Sequence, residues 1–600
     1  MKHDHKTEEA ADRRKMSGAE IVVQALTDQG VKHIFGYPGG SILPIFDEIY
    51  QQDKVRHILV RHEQAAGHAA EGYARTTGKV GVMLVTSGPG VTNAVTPLQD
   101  ALLDSVPLVC VSGQVSTTLI GSDAFQEADT VSITRPCTKH NWLVKDVNDL
   151  SRIIHEAFYI ARSGRPGPVL VDIPKNVQFA YGIYTEPKSI TPRMSYQPQL
   201  DGETQAINCA VNLLCAARKP VIYSGGGVIN SGADAVHLLR ELVNIGNFPI
   251  TSTLMGLGAY PASKENWLGM LGMHGTYEAN MAMHDCDVML AVGARFDDRI
   301  TGRLDAFSPD AKIIHIDIDP SSINKNVHVD VPIVGDVAHI LKDMIARFRI
   351  ICPNIKQPDR NVWWRQINTW RARRSLAYRN NADVIMPQYA IERLYALTKD
   401  HKPYLTTEVG QHQMWTAQYF GFDEPNHWMT SGGLGTMGYG FPAAIGVQIA
   451  RPDDLVVCVA GDASIQMNIQ ELSTAIQYDV PVKIFILNNH YMGMVRQWQQ
   501  LLHGNRLSHS YMEALPDFVR LAEAYGAVGI RCSKPEELDD KIRQMIVCDG
   551  PVLFDCCVVS LENCFPMIPS GRAHNEMLLS DEATNEMMAD AINVQGRLLV

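Results

Sequence analysis

No apolar run in this 600-residue chain approaches the roughly 20 residues that crossing a bilayer takes. Positive charge is in deficit: 53 Lys and Arg face 65 Asp and Glu, for a net charge of -12. That excludes the basic footprint of a nucleic-acid binder. None of the twelve cysteines lies in a C-x-x-C pair, so neither a zinc site nor a disulfide framework is indicated. The phosphate-cradling G-x-x-x-x-G-K-[ST] is also missing. The first residues, MKHDHKTEEAADRRKMSG, lack the apolar segment of a signal peptide and are too acidic for a typical transit peptide. The expectation is a short solvated tail on a cytoplasmic protein, with no membrane and no nucleic acid among its partners.

What is present is an ordinary globular composition, 46% hydrophobic and 20% charged, in a chain too long for one core. Apolar strand-like runs alternate with helical ones in three blocks. The first holds HILV (57–60), VGVMLVTS (80–87), PLVCVSG (107–113) and GPVLVDIP (167–174). The second holds KPVIYSGGG (219–227), FPITST (248–253), VMLAVGARF (288–296) and KIIHIDIDP (312–320). The third holds PYLTTEVG (403–410), LVVCVAGD (455–462), VKIFILNN (482–489) and GPVLFDCCV (550–558). Such alternation predicts an α/β protein of three doubly wound parallel-sheet domains. The expected boundaries are a tail over 1–16 and domains over 17–185, 201–358 and 385–600, the last ending in a C-terminal tail. A Pro-rich linker falls over 186–200, and a polar helical linker with Arg and Trp over 359–384.

In LVVCVAGDASIQMN (455–468) an apolar strand stops at a bare carboxylate, Asp462, among the small residues Gly461, Ala463 and Ser464. Alone, G-D-x-S reads best as a turn. The next strand, however, ends in Asn488-Asn489, and Asp462 and Asn489 are 27 positions apart, room for one helix and a return strand. Adjacent parallel strands would bring both to the carboxyl edge of one sheet, where α/β folds bind ligands. A carboxylate, an amide and a backbone carbonyl suit Mg²⁺, which usually keeps phosphate ligands as well. The small residues would let the backbone approach a diphosphate at a helix start.

G-D-x-S followed by N-N resembles the diphosphate and Mg²⁺ motif of thiamine diphosphate enzymes. These also need a glutamate in another domain, which Glu63 in VRHEQAAGHAAEGYAR (60–75) matches; a lone Glu there would be a solvated helix-start residue. FGYPGGS (35–41) and TSGPGVTN (86–93) follow the order of the decarboxylase–carboligase branch. The resemblance narrows to catalytic subunits of acetohydroxyacid synthases, the biosynthetic acetolactate synthases, and runs from about 16 to about 580. It implies a pyrimidine-binding first domain, a central FAD-binding domain and a third domain for diphosphate and Mg²⁺. It also implies pyruvate and 2-ketobutyrate as substrates. The assembly would be a homodimer or dimer of dimers, with domains of different chains completing each site, and would carry a small regulatory subunit.

The same resemblance assigns roles. Glu63 would favour the imino tautomer of the cofactor's pyrimidine, in a dry pocket where such a hydrogen bond is strong. Asp462, Asn489 and Tyr491 would hold the metal. Around thiamine diphosphate would stand Val409, Gly410, Gln411, His412, Gly435, Met437, Gly461, Ala463, Ser464, Gly493 and Met494. Met437, otherwise a gap filler in a Gly-rich turn, would wedge between the cofactor's two rings. For FAD the matching positions are Gly225, Gly226, Gly227, Thr253, Leu254, Gly272, Met273, His274, Gly293, Arg295, Asp297, Arg299, Asp317, Ile318, Asp336 and Val337. Arg295 would also hold the carboxylate of the second keto acid, for which a planar fork is suited. Trp498 would favour 2-ketobutyrate as acceptor, and Phe125, Gln126 and Lys175 would lie close to the reaction.

Two positions depart from the family's pattern. Ser116 in GQVSTTLIGSDAFQE stands where the family usually has proline, at a channel mouth where sulfonylurea herbicides bind. Ala463 stands where glycine is common in thiamine enzymes, although the carboligase branch admits both. A FAD-dependent pyruvate oxidase and a flavin-free catabolic synthase are disfavoured by Arg295 and Trp498 in their motifs. Glyoxylate carboligase lacks a glutamate at the position of Glu63. A non-catalytic scaffold would not need Glu63, Asp462 and Asn489 together.

Overall fold

The computed structural model describes residues 14–184 and 196–579. Most of the 186–200 linker, the first 13 residues and the C-terminal tail from 580 lie outside the described residues. The chain forms two compact units, one up to Gln197 and one from Pro198 onward. Each of the three expected blocks builds a six-stranded, all-parallel sheet. Its middle strands are buried on both faces, so they read as continuous apolar runs rather than alternating ones.

In the first unit the strands lie in the order Arg56–Leu59, His33–Gly36, Gly81–Val85, Leu108–Gln114, Pro168–Pro174, His140–Leu143. Numbered along the chain this is 2-1-3-4-6-5. Arg14–Ser17, of which the first three residues fall within the expected tail, pairs antiparallel with Tyr181–Tyr184. Ser17 then opens the helix Gly18–Asp28 with a capping box shared with Glu20, which settles two backbone N–H groups.

The second unit carries the other two sheets. The sheet of Tyr404–Thr407, Trp428–Met429, Val456–Gly461, Lys483–Asn488, Val528–Cys532 and Val552–Cys557 repeats the 2-1-3-4-6-5 order of the first unit. The first and third blocks thus share a topology that their residues do not advertise. The central sheet differs. Its strands Pro220–Ser224, Ile250–Ser252, Trp267–Met270, Val288–Val292, Lys312–Asp317 and Val331–Val334 lie in the order 3-2-1-4-5-6. That is the order of dinucleotide-binding folds, with the switch point between the first and fourth strands.

The polar stretch after the central domain forms the helix Asn361–Arg371. Trp363, Ile367 and Trp370, spaced for one helical face, bury against the core of the central sheet that holds Tyr223 and Met289. This segment is therefore packed onto the central domain.

Candidate functional site

In the second unit the strand Val456–Gly461 runs fully buried into Asp462, which is 1% exposed. One carboxylate oxygen accepts from the Ala463 N–H at 2.8 Å and the other from the His490 N–H at 2.6 Å. Burial lifts this carboxyl to about 7, and the nearby charge of Asp555 pushes it further in the same direction. A buried carboxylate is stabilised by a proton or a cation beside it. Asn489, also buried, directly follows the adjacent parallel strand Lys483–Asn488. Its Oδ1 accepts from the Tyr491 N–H at 3.0 Å, and its Nδ2 points to Gln411 Oε1 at 3.5 Å. The fold thus sets Asp462, Asn489 and Tyr491 together at one sheet edge.

Several features cradle that edge. A Cβ on Gly461 would stand 2.8 Å from the His412 ring, and one on Gly493 would stand 2.1 Å from Gln411 Oε1. His412 is buried, lowered to about 3 by that burial and hence neutral, and its Nε2 has no protein partner. An orphaned buried nitrogen beside backbone with no room for side chains fits a phosphate-bearing ligand. The loop Gly435–Gly438 takes left-handed backbone at both glycines. The buried Glu408 ties it down, accepting from the Gly438 and Phe441 N–H groups at 2.5 and 3.1 Å. Met437 projects half-buried from this loop, and Val409 and Gly410 follow Glu408 directly. Ser464 turns its hydroxyl back to Gly461, at 3.2 Å from its N–H, leaving Ala463 between them. Met494, on the helix Gly493–Leu502, packs against the core of this domain.

At the switch point of the central sheet, Gly225–Gly227 and Gly293 press together. The Gly227 N–H donates to the Gly293 carbonyl at 3.0 Å, and a Cβ on Gly225 would stand 2.2 Å from that oxygen. Packing between the two loops therefore demands these glycines, whatever they bind. Thr253 caps the turn at Leu254, accepting from the Gly256 N–H at 3.0 Å. Gly272, with left-handed backbone, donates to Asn280 at 2.8 Å, and Met273 donates to the Arg299 carbonyl at 2.8 Å. His274 is buried and lowered to about 4 by burial, with its Nε2 unpartnered. Asp317 ends its strand and accepts from Asp319 N–H at 2.8 Å; Ile318 beside it is half-buried. Asp336 is occupied locally: it caps the helix Val337–Ile351 and takes the Ser231 hydroxyl on both oxygens at 2.9 Å. Val337 is a core residue of that helix.

The arginine against Trp498 is Arg299, not Arg295. Its guanidinium lies 5.5 Å from the indole ring, a cation–π distance. Asp297 N-caps the short helix Asp298–Thr301, accepting from the Arg299 N–H. Arg295 instead acts on Asp297 and Tyr223, both held above their ordinary pKa values mainly by burial. A cavity beside Arg299 is lined by Met273, Asp298, Gly302, Ile568 and Ser570. The loop carrying Ile568 and Ser570 has no recognisable pattern in the sequence. Only the fold brings it here.

In the first unit Glu63 opens the helix Glu63–Thr77, whose N-cap is the His62 ring, accepting from Gln64 N–H at 3.1 Å. Glu63 accepts from the Asn93 amide at 3.0 Å, and a Cβ on Gly90 would lie 3.6 Å from its other oxygen. The TSGPGVTN loop is thus folded against Glu63. A Cβ on Gly88 would meet the Gln126 carbonyl at 2.8 Å, so the Phe125–Gln126 loop adjoins as well. Gln126 itself has left-handed backbone, and Phe125 is 88% exposed. Lys175 starts the helix Lys175–Phe179; its neighbour Asn176 accepts from the Thr117 N–H at 2.9 Å, which brings Ser116 and Lys175 into one neighbourhood.

These loops and sheet edges define a thiamine pyrophosphate (thiamine diphosphate) enzyme, and comparison with known families agrees. Residues 16–133 match the thiamine pyrophosphate enzyme N-terminal TPP binding domain, 207–344 the central domain and 408–556 the C-terminal TPP binding domain. The acetolactate synthase large subunit of Haemophilus influenzae is 51% identical over 579 residues, covering 95% of this chain and 100% of that one. The acetolactate synthase isozyme 3 large subunit of Escherichia coli is 52% identical over 570 residues, covering 94% and 99%. The acetolactate synthase large subunit of Buchnera aphidicola subsp. Schizaphis graminum is 49% identical over 570 residues, covering 94% and 98%. The chain belongs to the acetolactate synthase large-subunit family.

Proposed function

We propose that this chain is the catalytic subunit of a biosynthetic acetolactate synthase. It decarboxylates pyruvate and joins the remaining two carbons to a second pyruvate or to 2-ketobutyrate, the first common step of branched-chain amino acid biosynthesis. Thiamine diphosphate, when bound, supplies a carbanion that adds to a keto acid and takes up the electrons left as carbon dioxide departs. The single observation that carries the reading is the buried Asp462–Asn489 edge, with the orphaned His412 nitrogen beside it.

Asp462, Asn489 and the Tyr491 carbonyl would hold Mg²⁺, an all-oxygen set suited to that ion. Glu63, fixed by Asn93, would hold or move the proton at the pyrimidine ring. FAD fits the central domain, because its 3-2-1-4-5-6 order puts Gly225–Gly227 and Gly293 at the switch point where dinucleotides bind. Asp336 and Val337 serve this site by capping and building the helix beside it, not through free side chains. Arg299, stacked on Trp498, is the better candidate than Arg295 for the acceptor's carboxylate. Trp498 would then contact the acceptor's alkyl group.

Exposed apolar side chains of the first unit, Phe125 at 88%, Phe179 at 60% and Leu43 at 52%, offer surface for a second copy, consistent with a homodimer or dimer of dimers. The relatives' name, large subunit, supports a small regulatory partner. Among the described residues no helix is long and apolar enough to cross a membrane, and we place the enzyme in the cytoplasm. The test is to strip the protein of cofactors and restore thiamine diphosphate, Mg²⁺ and FAD singly and together. Activity should return only with all three; full activity without thiamine diphosphate would refute the assignment.

A further inference from the structure

Gln497 is fully buried on the helix Gly493–Leu502, one residue before Trp498. Its side-chain oxygen accepts two hydrogen bonds, from Gln411 Nε2 at 2.8 Å and from the Cys564 N–H at 2.8 Å. Its amide nitrogen donates towards the Cys564 carbonyl at 3.2 Å and the Met567 sulfur at 3.5 Å. An amide has two acceptor and two donor positions, and here all four have partners. Gln411 uses its other N–H on the Glu562 carbonyl at 2.9 Å and turns its oxygen to Asn489 Nδ2. With Nδ2 engaged, Asn489 is left with Oδ1 for the Tyr491 N–H and for a cation.

The chain of contacts also reaches the opposite end of the site. Met567 packs in one apolar cluster with Trp498, Leu501 and Met273. The loop that supplies Cys564 and Met567 continues into Ile568 and Ser570 at the Arg299 cavity. A fully satisfied buried network fixes its members more firmly than the same bonds would at a surface. Gln411 by itself retains three side-chain torsions, and the contact of its oxygen with Asn489 is long. The amide of Gln497, together with the Glu562 carbonyl, holds it in register.

We propose that Gln497 is a positioning residue: through Gln411 it orients the Asn489 amide for the metal, and through Cys564 and Met567 it ties that orientation to the loop walling the acceptor side. The inference rests on the reading of Asn489 as a Mg²⁺ ligand of a thiamine diphosphate site.

The test is direct binding of thiamine diphosphate with Mg²⁺ to the purified full-length protein by calorimetry, beside the melting temperature without cofactors. Gln497→Met keeps length and bulk but loses every hydrogen bond. It should bind about tenfold more weakly while melting close to the parent. In a Gln411→Ala background the same change should cost nothing further, because the link is already cut. Gln497→Glu keeps the oxygen that accepts from Gln411 and should recover most of the lost affinity. If Gln497→Met does not fold, Gln497→Asn, an amide one methylene short of Gln411, takes its place with the same expectations. Parent-like binding by the Met or Asn variant, or an equal loss in both backgrounds, overturns the proposal. If the parent itself binds no thiamine diphosphate, it is the functional reading that fails.

Discussion

Glu63, the first residue of its helix, accepts a hydrogen bond at 3.0 Å from the side-chain amide of Asn93, in the glycine-rich loop after the third strand of its sheet. A Cβ on Gly90 would lie 3.6 Å from the carboxylate, at ordinary contact distance, so this segment packs directly on Glu63. A carboxylate held this way can exchange a proton with a ring nitrogen without searching for its position. Glu63→Gln should therefore keep thiamine diphosphate binding but lower kcat by about 10²- to 10⁴-fold, the usual worth of a positioned acid–base group. Asn93→Ala should lower it less, by about tenfold. Parent-like turnover of Glu63→Gln at saturating cofactor would remove Glu63 from the chemistry.

Asp462→Ala should weaken Mg²⁺ and thiamine diphosphate binding together, since one cation would bridge carboxylate and diphosphate. Calorimetric titration of each ligand checks this; loss of one affinity without the other would contradict the shared site.

Trp498→Leu should lower the preference for 2-ketobutyrate over pyruvate as acceptor. One methylene in an apolar pocket is worth about 1–3 kcal/mol, so the ratio of the two products should shift about tenfold or more. Arg299→Lys should raise KM for the acceptor, because an ammonium cannot reproduce a planar fork stacked on the indole. Arg295→Lys should leave that KM nearly unchanged. Competition assays with both keto acids separate the three variants.

Ser116 is half-buried and opens a turn, its carbonyl accepting from the Leu119 N–H at 2.8 Å. Proline there would present a rigid apolar face in place of a hydroxyl. With about 50 Å² more apolar contact at about 25 cal/mol per Å², Ser116→Pro should bind a sulfonylurea about 1 kcal/mol, or several-fold, more tightly. Turnover should hardly change. Equal inhibition curves for the two proteins at matched pyruvate would show that Ser116 is not on the channel wall.

Asp172 contributes a pH dependence to the first unit. It is buried between strands and accepts from Ser112 at 2.7 Å and Gln114 at 3.0 Å, yet burial still raises it from 3.8 to about 7. Between those values the folded chain holds a proton that the unfolded chain has released. Its contribution to stability is therefore full below about pH 4 and falls as pH rises towards 7. Asp172→Asn, a neutral stand-in, should melt near the parent at pH 5 and above it at pH 8. An unchanged difference at the two pH values would contradict the shift.

Much of this site was legible because its residues sit where strands end. Asp462 and Asn489 were readable as a pair since a parallel sheet fixes the distance between successive strand ends. The three-sheet architecture followed from alternation of apolar runs with helical ones. Other parts depended on side-chain direction, which spacing does not encode. GARFDDR offers two arginines, and spacing alone does not tell that it is Arg299 that meets Trp498. Asp336, at a position that matches the family's FAD site, also caps the helix Val337–Ile351, a role its GD dipeptide does not reveal. Gln497 and the loop through Ser570 carried no motif, because their roles come from contacts across about 70 residues of chain.

Carboligation on thiamine diphosphate is read from the product that the protein makes from labelled pyruvate. The protein would be supplied with thiamine diphosphate, Mg²⁺, FAD and uniformly ¹³C-labelled pyruvate, and the carbon products read by NMR. One labelled carbon dioxide should appear for each labelled 2-acetolactate, with the flavin left oxidised. Acetaldehyde or acetate as the main product, or reduction of FAD in step with pyruvate loss, would contradict the account.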